Sequence, residues 1–489
     1  MSDLIISKVN GAYVHIKCER SLAQELSDHF TFLVPGYQFV PAFKNKLWDG
    51  KIRLMDVRSN KIYYGLIPYI QKFCDDREYT VVYDKSIDGL ENFSIKEAKD
   101  FIETLGIPKH LEQRDYQIDA FVHAIRNKRA LLLSPTSSGK SFILYLIIRH
   151  IQQNCKKGLL IVPRTSLAEQ MFSDFKSYGY DSDQYCHRQY AGKDKSTDKF
   201  LTITTWQSIY NLPKEYFEQF DFVLGDEAHD FKAKSLTTIM SNLENTEYRI
   251  GCTGTLDGTQ THKLVLEGLF GPVLKVITTK ELMDNDQVSS LKIKCLTLKY
   301  SDAVCKLSRD WDYQAEIDYL VKNPQRNAFI KNLALSLKGN SLILFQLVEK
   351  HGKELMRLID AEKKDRKVFF VHGSTDVETR EQIRHITEKE NDAIIIASYG
   401  TFSTGINIKN LHNAIFASPS KSRIRNLQSL GRVLRKGDNK DSATLYDIAD
   451  DFRIGKHTNF TLKHFVERVK IYEEEKFSYK FYKIDIKNG

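Results

Sequence analysis

Short, largely apolar runs recur along this chain at residues 130–133, 159–162, 201–205, 222–224 and 248–252, each followed by a helix-length segment. The pattern begins again at 342–345, 368–371, 393–397, 414–417 and 443–446. A strand that is apolar at every position cannot leave one face in water, so both faces must be covered. Strands joined by helix-length connections pair in parallel, with the connecting helices packed on the two faces. Two such arrays in succession predict an α/β chain with two doubly wound parallel sheets. The 489 residues leave room for smaller additions, at about 150 residues per domain.

The first stretch reads differently. Asn10-Gly11 between apolar runs predicts a tight hairpin with both turn residues at positive φ. Ser21-Leu22-Ala23-Gln24 has capping-box spacing, with Leu22, Leu26 and Phe30 on one helical stripe. Gly106-Ile107-Pro108 then marks an exit. The expected organisation is a small α+β domain over 1–110, sheet domains over 111–275 and 276–455, and a short helical, aromatic-rich C-terminal tail over 456–489.

Net charge is +9, which allows a polyanionic partner without specifying a fold. Residues 291–489 carry 36 basic and 26 acidic side chains, whereas 113–290 carry 21 of each. Residues 44–72 are a second basic patch, with seven Lys/Arg against two Asp. Seven scattered cysteines, with no Cys-x-x-Cys pair, predict reduced thiols rather than a disulfide framework or a zinc site. The N-terminus lacks the charged and apolar regions of a signal peptide, and no apolar run approaches membrane-spanning length. The expectation is a soluble cytoplasmic protein with no membrane partner.

Three clusters carry chemistry. Ser134-Pro135-Thr136-Ser137-Ser138-Gly139-Lys140-Ser141 follows the run 130–133 and precedes an apolar helix, the setting of a phosphate-binding loop. Backbone N–H groups would face the phosphates, Lys140 would reach the β/γ-phosphates of ATP, and Ser141 would bind Mg2+. Ser134 stands where the general pattern has Gly. Asp226-Glu227-Ala228-His229 follows the run 222–224, so Asp226 can hold Mg2+ and Glu227 can polarise an attacking water. Gln428, Arg432 and Arg435 are spaced to share one helical face, where two guanidinium forks suit charge building on a γ-phosphoryl group. Lys140 and Asp226 lie in the first array and these arginines in the second, so the expected ATP site draws on both domains.

Together these segments resemble a superfamily 2 helicase, in order from Arg114 to Lys436. Arg114-Asp115-Tyr116-Gln117 is similar to the adenine-reading motif of that family, which implies Arg114 and Gln117 at ATP. Pro163-Arg164-Thr165-Ser166-Leu167 and Thr204-Thr205-Trp206-Gln207-Ser208 resemble DNA-contacting motifs. Thr253-Gly254-Thr255 resembles the motif that links hydrolysis to strand movement. Phe345-Gln346, Val371-His372-Gly373 and the segment from Ser398 through Thr404-Gly405-Ile406 are similar to later motifs, and Gln428 to Arg435 to the arginine-finger motif. The resemblance implies DNA contacts at Arg164, Thr204, Thr205, Trp206, His372, Gly373 and Ser398, Gly405 at ATP, a catalytic part for His229, and RecA-like motor domains.

A narrower resemblance, to the UvsW-type helicases of T-even bacteriophages, rests on Trp48-Asp49-Gly50-Lys51-Ile52-Arg53-Leu54, on 278–288, and on Gly405-Ile406 followed by Lys409-Asn410-Leu411-His412. It implies a DNA helicase acting on branched DNA (forks, Holliday junctions and RNA–DNA loops) in recombination, replication and repair, working as a monomer in the host cytoplasm. In the small domain, Tyr37, Phe39, Phe43 and Trp48 interleave with Lys44, Lys46, Lys51 and Arg53. The aromatics read equally as base-stacking groups or as a core, whereas the four cations read as DNA contacts. Lys463, Arg468 and Lys470 of the tail read as solvated charges that could add backbone contacts. An RNA helicase and a non-catalytic nucleic-acid clamp are the alternatives.

Overall fold

The computed structural model describes residues 2–190, 197–231, 233–405, 408–420, 422–437 and 440–486. It divides into two compact units, one of residues 1–134 with 139–277, the other of residues 278–489 with 135–138. Each contains a seven-stranded sheet in which every pairing is parallel. Among the described residues no helix is long and apolar enough to cross a membrane.

In the first unit the sheet runs, edge to edge, Cys186–Gln189, Leu201–Thr205, Gly158–Val162, Phe222–Gly225, Tyr248–Thr253, Arg129–Leu133 and Val273–Lys275. Successive side chains of a strand enter opposite layers. Leu132, Leu160, Leu224 and Ile250 join a core with helices Asp115–Asn127 and Lys140–Ile151. Leu131, Leu159, Ile161 and Val223 join a second core that also contains Leu4, Ile6, Val14, Ile16, Leu26 and Phe30. The N-terminal sheet, ordered Met55–Asp56, Lys61–Tyr63, Tyr13–Cys18, Leu4–Lys8 and Val81–Tyr83, therefore shares its apolar interior with the first parallel sheet.

Polar contacts fix this docking. Arg129 is buried, stacks 4.0 Å from the Tyr64 ring centroid and donates from Nη2 to the Gly11 carbonyl at 2.8 Å. The Gly11 N–H donates to the Glu244 carbonyl at 2.7 Å, and the Tyr13 and Ser241 hydroxyls lie 2.8 Å apart. The hairpin expected around Asn10-Gly11 is present as an antiparallel pair, but neither residue takes a positive φ. Asn10 Oδ1 instead accepts from the Ala12 and Tyr13 amides, closing the turn with a side chain. Gly11 is required by close approach, because a Cβ there would sit 2.6 Å from the Thr246 carbonyl oxygen. Ser21 also differs from expectation. The strand Tyr13–Cys18 runs directly into helix Arg20–His29, so Ser21 falls inside the first turn rather than at the cap, while Leu22, Leu26 and Phe30 are buried as the stripe predicted.

The second sheet runs Val368–Val371, Ile394–Ser398, Ser341–Phe345, Asn413–Phe416, Ser442–Asp451, Ser290–Lys299 and Ser478–Asp485. The C-terminal helix is Phe460–Glu474; the aromatic end beyond it adds a strand, Ser478–Asp485, that the sequence pattern did not assign. Buried Glu316 accepts from the Phe460 and Thr461 amides at 2.9 and 2.8 Å, satisfying the start of that helix. Arg468, expected at the surface, is buried and pairs with Asp447 at 2.8 Å. The reason is geometric: it faces the sheet, where an aspartate in a buried strand needs a counter-charge. Arg326 and Asp450 form the equivalent buried pair, also at 2.8 Å.

Substituting Gly11 by Ala should push the N-terminal hairpin away from the 243–246 segment it docks on, at a cost of about 1–3 kcal/mol. A lower thermal midpoint and faster proteolysis within 1–110 would register it. His351 supplies a pH-dependent test. It is fully buried, with Nδ1 3.2 Å from Ser418 Oγ and Nε2 without a hydrogen-bond partner. Burial, reinforced by the Arg326 charge, pushes its pKa down to about 3. The unfolded chain takes up this proton first, so stability should fall as pH drops below about 6.5, by at most ~1.4 kcal/mol per pH unit. In His351→Gln the fall in thermal midpoint between pH 6.5 and 5 should be shallower than in the wild type.

Candidate functional site

A parallel sheet delivers the C-terminal end of every strand to one edge. In the first unit the registers Thr253↔Leu133, Gly225↔Gly251 and Gly225↔Ile161 bring the segments after three strands together: Ser134 onward, Asp226-Glu227 and Gly254-Thr255. Helix Lys140–Ile151 opens there, its N-terminal amides available to an anion. Gly139 takes φ +82°, and a Cβ on it would lie 2.3 Å from Gln117 Nε2, so glycine is needed for both turn and contact. Gln117 is buried, and its Oε1 accepts from the Arg114 amide at 3.1 Å; Arg114 Nη1 donates to Tyr116 Oη at 2.7 Å. Within the loop, Pro135 and Thr136 lead to Ser137 at φ +71°, and Ser138 Oγ donates to the Pro135 carbonyl at 2.6 Å.

Lys140 Nζ lies 3.2 Å from Glu227 Oε1 and 3.4 Å from the Ser134 carbonyl. Burial works against its charge, but Glu227 and Asp226 outweigh burial and hold its pKa above that of an ordinary lysine. Burial and then the Glu227 charge push Asp226 up to about 7. Burial opposes the Glu227 charge too, yet the Lys140 ammonium beside it brings it below the usual carboxylate range. Glu227 sits at φ 48°, ψ 49°, a left-handed conformation that is costly for a residue with a side chain.

Asp226 Oδ1 is buried with no hydrogen-bond partner. An orphaned carboxylate oxygen beside a half-buried lysine fits a divalent cation, which Ser141 and Asp226 could hold as oxygen donors. Ser141 Oγ is 2.8 Å from Tyr178 Oη, which orients the hydroxyl.

From Glu227 a polar chain leads along the edge. His229 is buried and kept neutral by that burial. Its Nδ1 lies 2.6 Å from Thr253 Oγ1 and 3.4 Å from Glu227 Oε2, and its Nε2 lies 3.4 Å from Asp230 Oδ1. Asp230 Oδ2 is 3.6 Å from Arg164 Nη2. Thr253 donates to the Thr255 carbonyl at 2.8 Å, and the Gly254 amide reaches Glu227 Oε2 at 3.4 Å. Sequence reasoning missed Asp230 and Tyr178; Asp230 directly follows His229 and could have been read with it.

Three of the side chains expected at DNA are buried. Thr204 is fully buried and donates to the Gln189 carbonyl, and Trp206 packs in the second core of the unit, so neither offers its side chain at a surface. Thr204 lies in the strand Leu201–Thr205 and Trp206 opens the short helix after it, Trp206–Ile209, whose inner face is covered by the second core. Thr205 is also buried, its hydroxyl 2.8 Å from Ser208 Oγ. Lys44, Lys46, Lys51 and Arg53 are all exposed, and Arg53 is paired with Asp49 at 2.5 Å.

In the second unit the pairings Val371↔Ala397 and Phe345↔Ser398 bring His372, Gly373 and Ser398 to one edge. His372 Nδ1 lies 3.0 Å from Ser374 Oγ, the Gly373 carbonyl accepts from Arg380, and Ser398 Oγ is 2.8 Å from Thr401 Oγ1. Gly405 closes helix Tyr399–Gly405; Ile406, quoted with it, lies outside the described residues. Gln428 and Arg432 lie one turn apart on helix Arg423–Val433, but Arg435 falls beyond it, so the three do not share a single helical face. The helix stops because the Arg435 amide turns back to the Arg432 carbonyl and buried Lys440 collects the freed carbonyls: Nζ donates to Val433, to Arg435 at 2.9 Å and to Lys409 at 3.3 Å. Lys440 carried no motif, and only the folded chain reveals it. Lys440→Met should leave three carbonyls without their donor, lowering stability by about 1–3 kcal/mol and slowing ATP turnover; calorimetry and a phosphate-release assay would read both.

Three family descriptions match successive parts of the chain: the UvsW DNA helicase N-terminal family over residues 4–84, the type III restriction enzyme res subunit family over 110–258, and the helicase conserved C-terminal domain over 325–437. The chain is 37% identical to the ATP-dependent DNA helicase uvsW of Enterobacteria phage T4, over 96% of this chain and 97% of the relative. It is 24% identical to the DNA 3'-5' translocase XPB2 of Sulfurisphaera tokodaii, over 79% of this chain and 91% of that one. The crystal structure of T4 UvsW superposes with a TM-score of 0.53 at 34% identity, covering 99% of this chain and all of that one.

Proposed function

Because the chain belongs to the UvsW family of ATP-dependent DNA helicases, we propose that it couples ATP hydrolysis to the remodelling of branched DNA: forks, Holliday junctions and RNA–DNA loops. The observation that supports this best is the cluster at the strand ends, where Lys140 pairs with Glu227 and buried Asp226 keeps an orphaned oxygen. Buried His229 sits between Glu227 and Asp230, and so places a polar group between this cluster and the half-exposed Arg164.

Lys140 binds the β/γ-phosphates, assisted by the amides that open helix Lys140–Ile151. Ser141 and Asp226 would hold a Mg2+ ion, which neutralises phosphate oxygens when bound. Glu227 orients the attacking water and accepts its proton. Arg432 and Arg435, with Gln428, supply cationic and hydrogen-bonding groups for charge developing on the γ-phosphoryl group. Arg114 and Gln117 hold the base side of the nucleotide. Neutral His229 relays the state of Glu227 to Thr253, Thr255 and Asp230. When Asp230 releases it, Arg164 is free to grip a DNA phosphate, with His372, Gly373 and Ser398 doing so on the second sheet. The chain acts as a monomer, and in the domain scheme 1–110, 111–275, 276–455 and 456–489 the first segment selects the substrate.

Lys140→Ala should cut DNA-stimulated ATP hydrolysis by at least ~10²-fold and leave fork binding nearly unchanged; turnover near the wild-type rate would sink the assignment. Strand release from labelled forks, Holliday junctions and RNA–DNA loops should exceed that from an unbranched tailed duplex. Equal rates would remove the preference for branches, and stronger ATPase stimulation by RNA than by single-stranded DNA at matched salt would favour an RNA helicase.

A further inference from the structure

Between the paired strands Thr31–Leu33 and Lys51–Arg53 the chain makes an excursion over residues 34–50, closed by the Val34 amide on the Gly50 carbonyl at 2.9 Å. It holds a short 3-10 turn, Tyr37–Phe39, and a one-turn helix, Pro41–Lys44. No residue from 33 to 49 is buried. The excursion is ordered from within: the Tyr37 and Phe43 rings meet edge to face at 4.7 Å, the Leu47 amide donates to the Ala42 carbonyl at 2.8 Å, and Trp48 Nε1 donates to the Lys51 carbonyl at 2.8 Å. Tyr37 and Phe43 thus form a minimal interior, and the aromatics that the sequence could not divide fall into two classes. Phe39 is left 75% exposed, and Leu47, which no motif singled out, is 81% exposed.

Two large apolar side chains in water on a small ordered tip mark a contact surface. The tip's cations say what the contact is. Lys44, Lys46 and Lys51 are exposed and, among the described residues, form no ion pair. A partner must therefore present apolar faces flanked by closely spaced negative charge, which describes unpaired bases beside their phosphates. Apolar side chains inserted at a base step unstack it. Doing so requires a rigid mount, and the domain that carries the tip has one, since it shares a core with the first parallel sheet and is pinned by Arg129 on Gly11.

We propose that Phe39 and Leu47 are a strand-separating wedge that packs against the unpaired bases at a DNA branch point, while Lys44, Lys46 and Lys51 hold the flanking phosphates. This rests on the helicase reading above and adds to it the element that parts the strands.

The test uses the full-length protein and a fork carrying 2-aminopurine at the branch nucleotide. Without ATP, binding of the wild type should raise the fluorescence of that base. The Phe39→Ala/Leu47→Ala double variant, altered only at exposed positions, should lose the rise and release fork strands about tenfold more slowly, the scale expected for losing one base-stacking contact. Its ATPase stimulated by single-stranded DNA should stay within about twofold of wild type. A companion variant with Lys44, Lys46 and Lys51 changed to Gln should bind forks more weakly with a shallower salt dependence, by a slope of about one per phosphate lost. Wild-type fluorescence and strand release in the double variant would overturn the wedge, as would an equal loss of single-stranded-DNA-stimulated ATPase, which would indicate general damage. A wild-type protein that separates no fork, yet raises the fluorescence through Phe39 and Leu47, would overturn the helicase reading and leave the wedge standing.

Discussion

The candidate site residues of each unit stand together because parallel strands end together. Seven strands per sheet, all running one way, bring their C-terminal residues to a single edge, and the backbone there is free of ladder partners. In the first unit that edge collects Ser134, Asp226 and Thr253 from strands far apart in sequence. In the second it collects His372 and Ser398. The apolar interior exists to hold this edge still: side chains of one strand enter two different cores, so no strand can slide without disturbing both.

The charges at the edge of the first unit depend on one another. Buried Asp226 and half-buried Glu227 are adjacent carboxylates beside one lysine, and they respond differently: one is pushed up to about 7, the other held low. A group left partly uncompensated beside a left-handed Glu227 is a site prepared for an incoming ligand charge. His229, neutral and enclosed, joins this charge to Thr253 on one side and Asp230 on the other. In the second unit, buried Arg326 is paired with Asp450 and buried Arg468 with Asp447, and the second of these pairs ties the last helix to its sheet.

Much of this was legible beforehand, for a physical reason. A central parallel strand must be apolar throughout, so the runs that became Gly158–Val162, Phe222–Gly225 and Ser341–Phe345 announced themselves. Edge strands need not be, and Cys186–Gln189, Val273–Lys275 and the half-exposed Ser478–Asp485 passed unnoticed. Ser290–Lys299 was missed because it alternates buried and exposed positions over much of its length. The phosphate loop and the Asp226-Glu227 pair were readable because their spacing to the preceding strands is local. The burial of Thr204, Thr205 and Trp206 was not readable, because exposure near a strand end depends on what covers it.

The amino-acid order by itself determined that two parallel sheets form, that a glycine-lysine turn opens a helix after the first strand of one, and that acidic and arginine-bearing segments follow at the ends of later elements. These are consequences of period, apolarity and local turn chemistry, which act over a few residues. Only the tertiary structure decided which charges meet, that Gly11 serves a docking contact rather than a turn, that Arg468 is interior, and that Lys440 ties off the arginine-bearing segment. It also decided that Tyr37 and Phe43 turn inward while Phe39 and Leu47 remain outside. Burial is a property of what arrives from elsewhere in the chain, and no run of neighbouring residues encodes it.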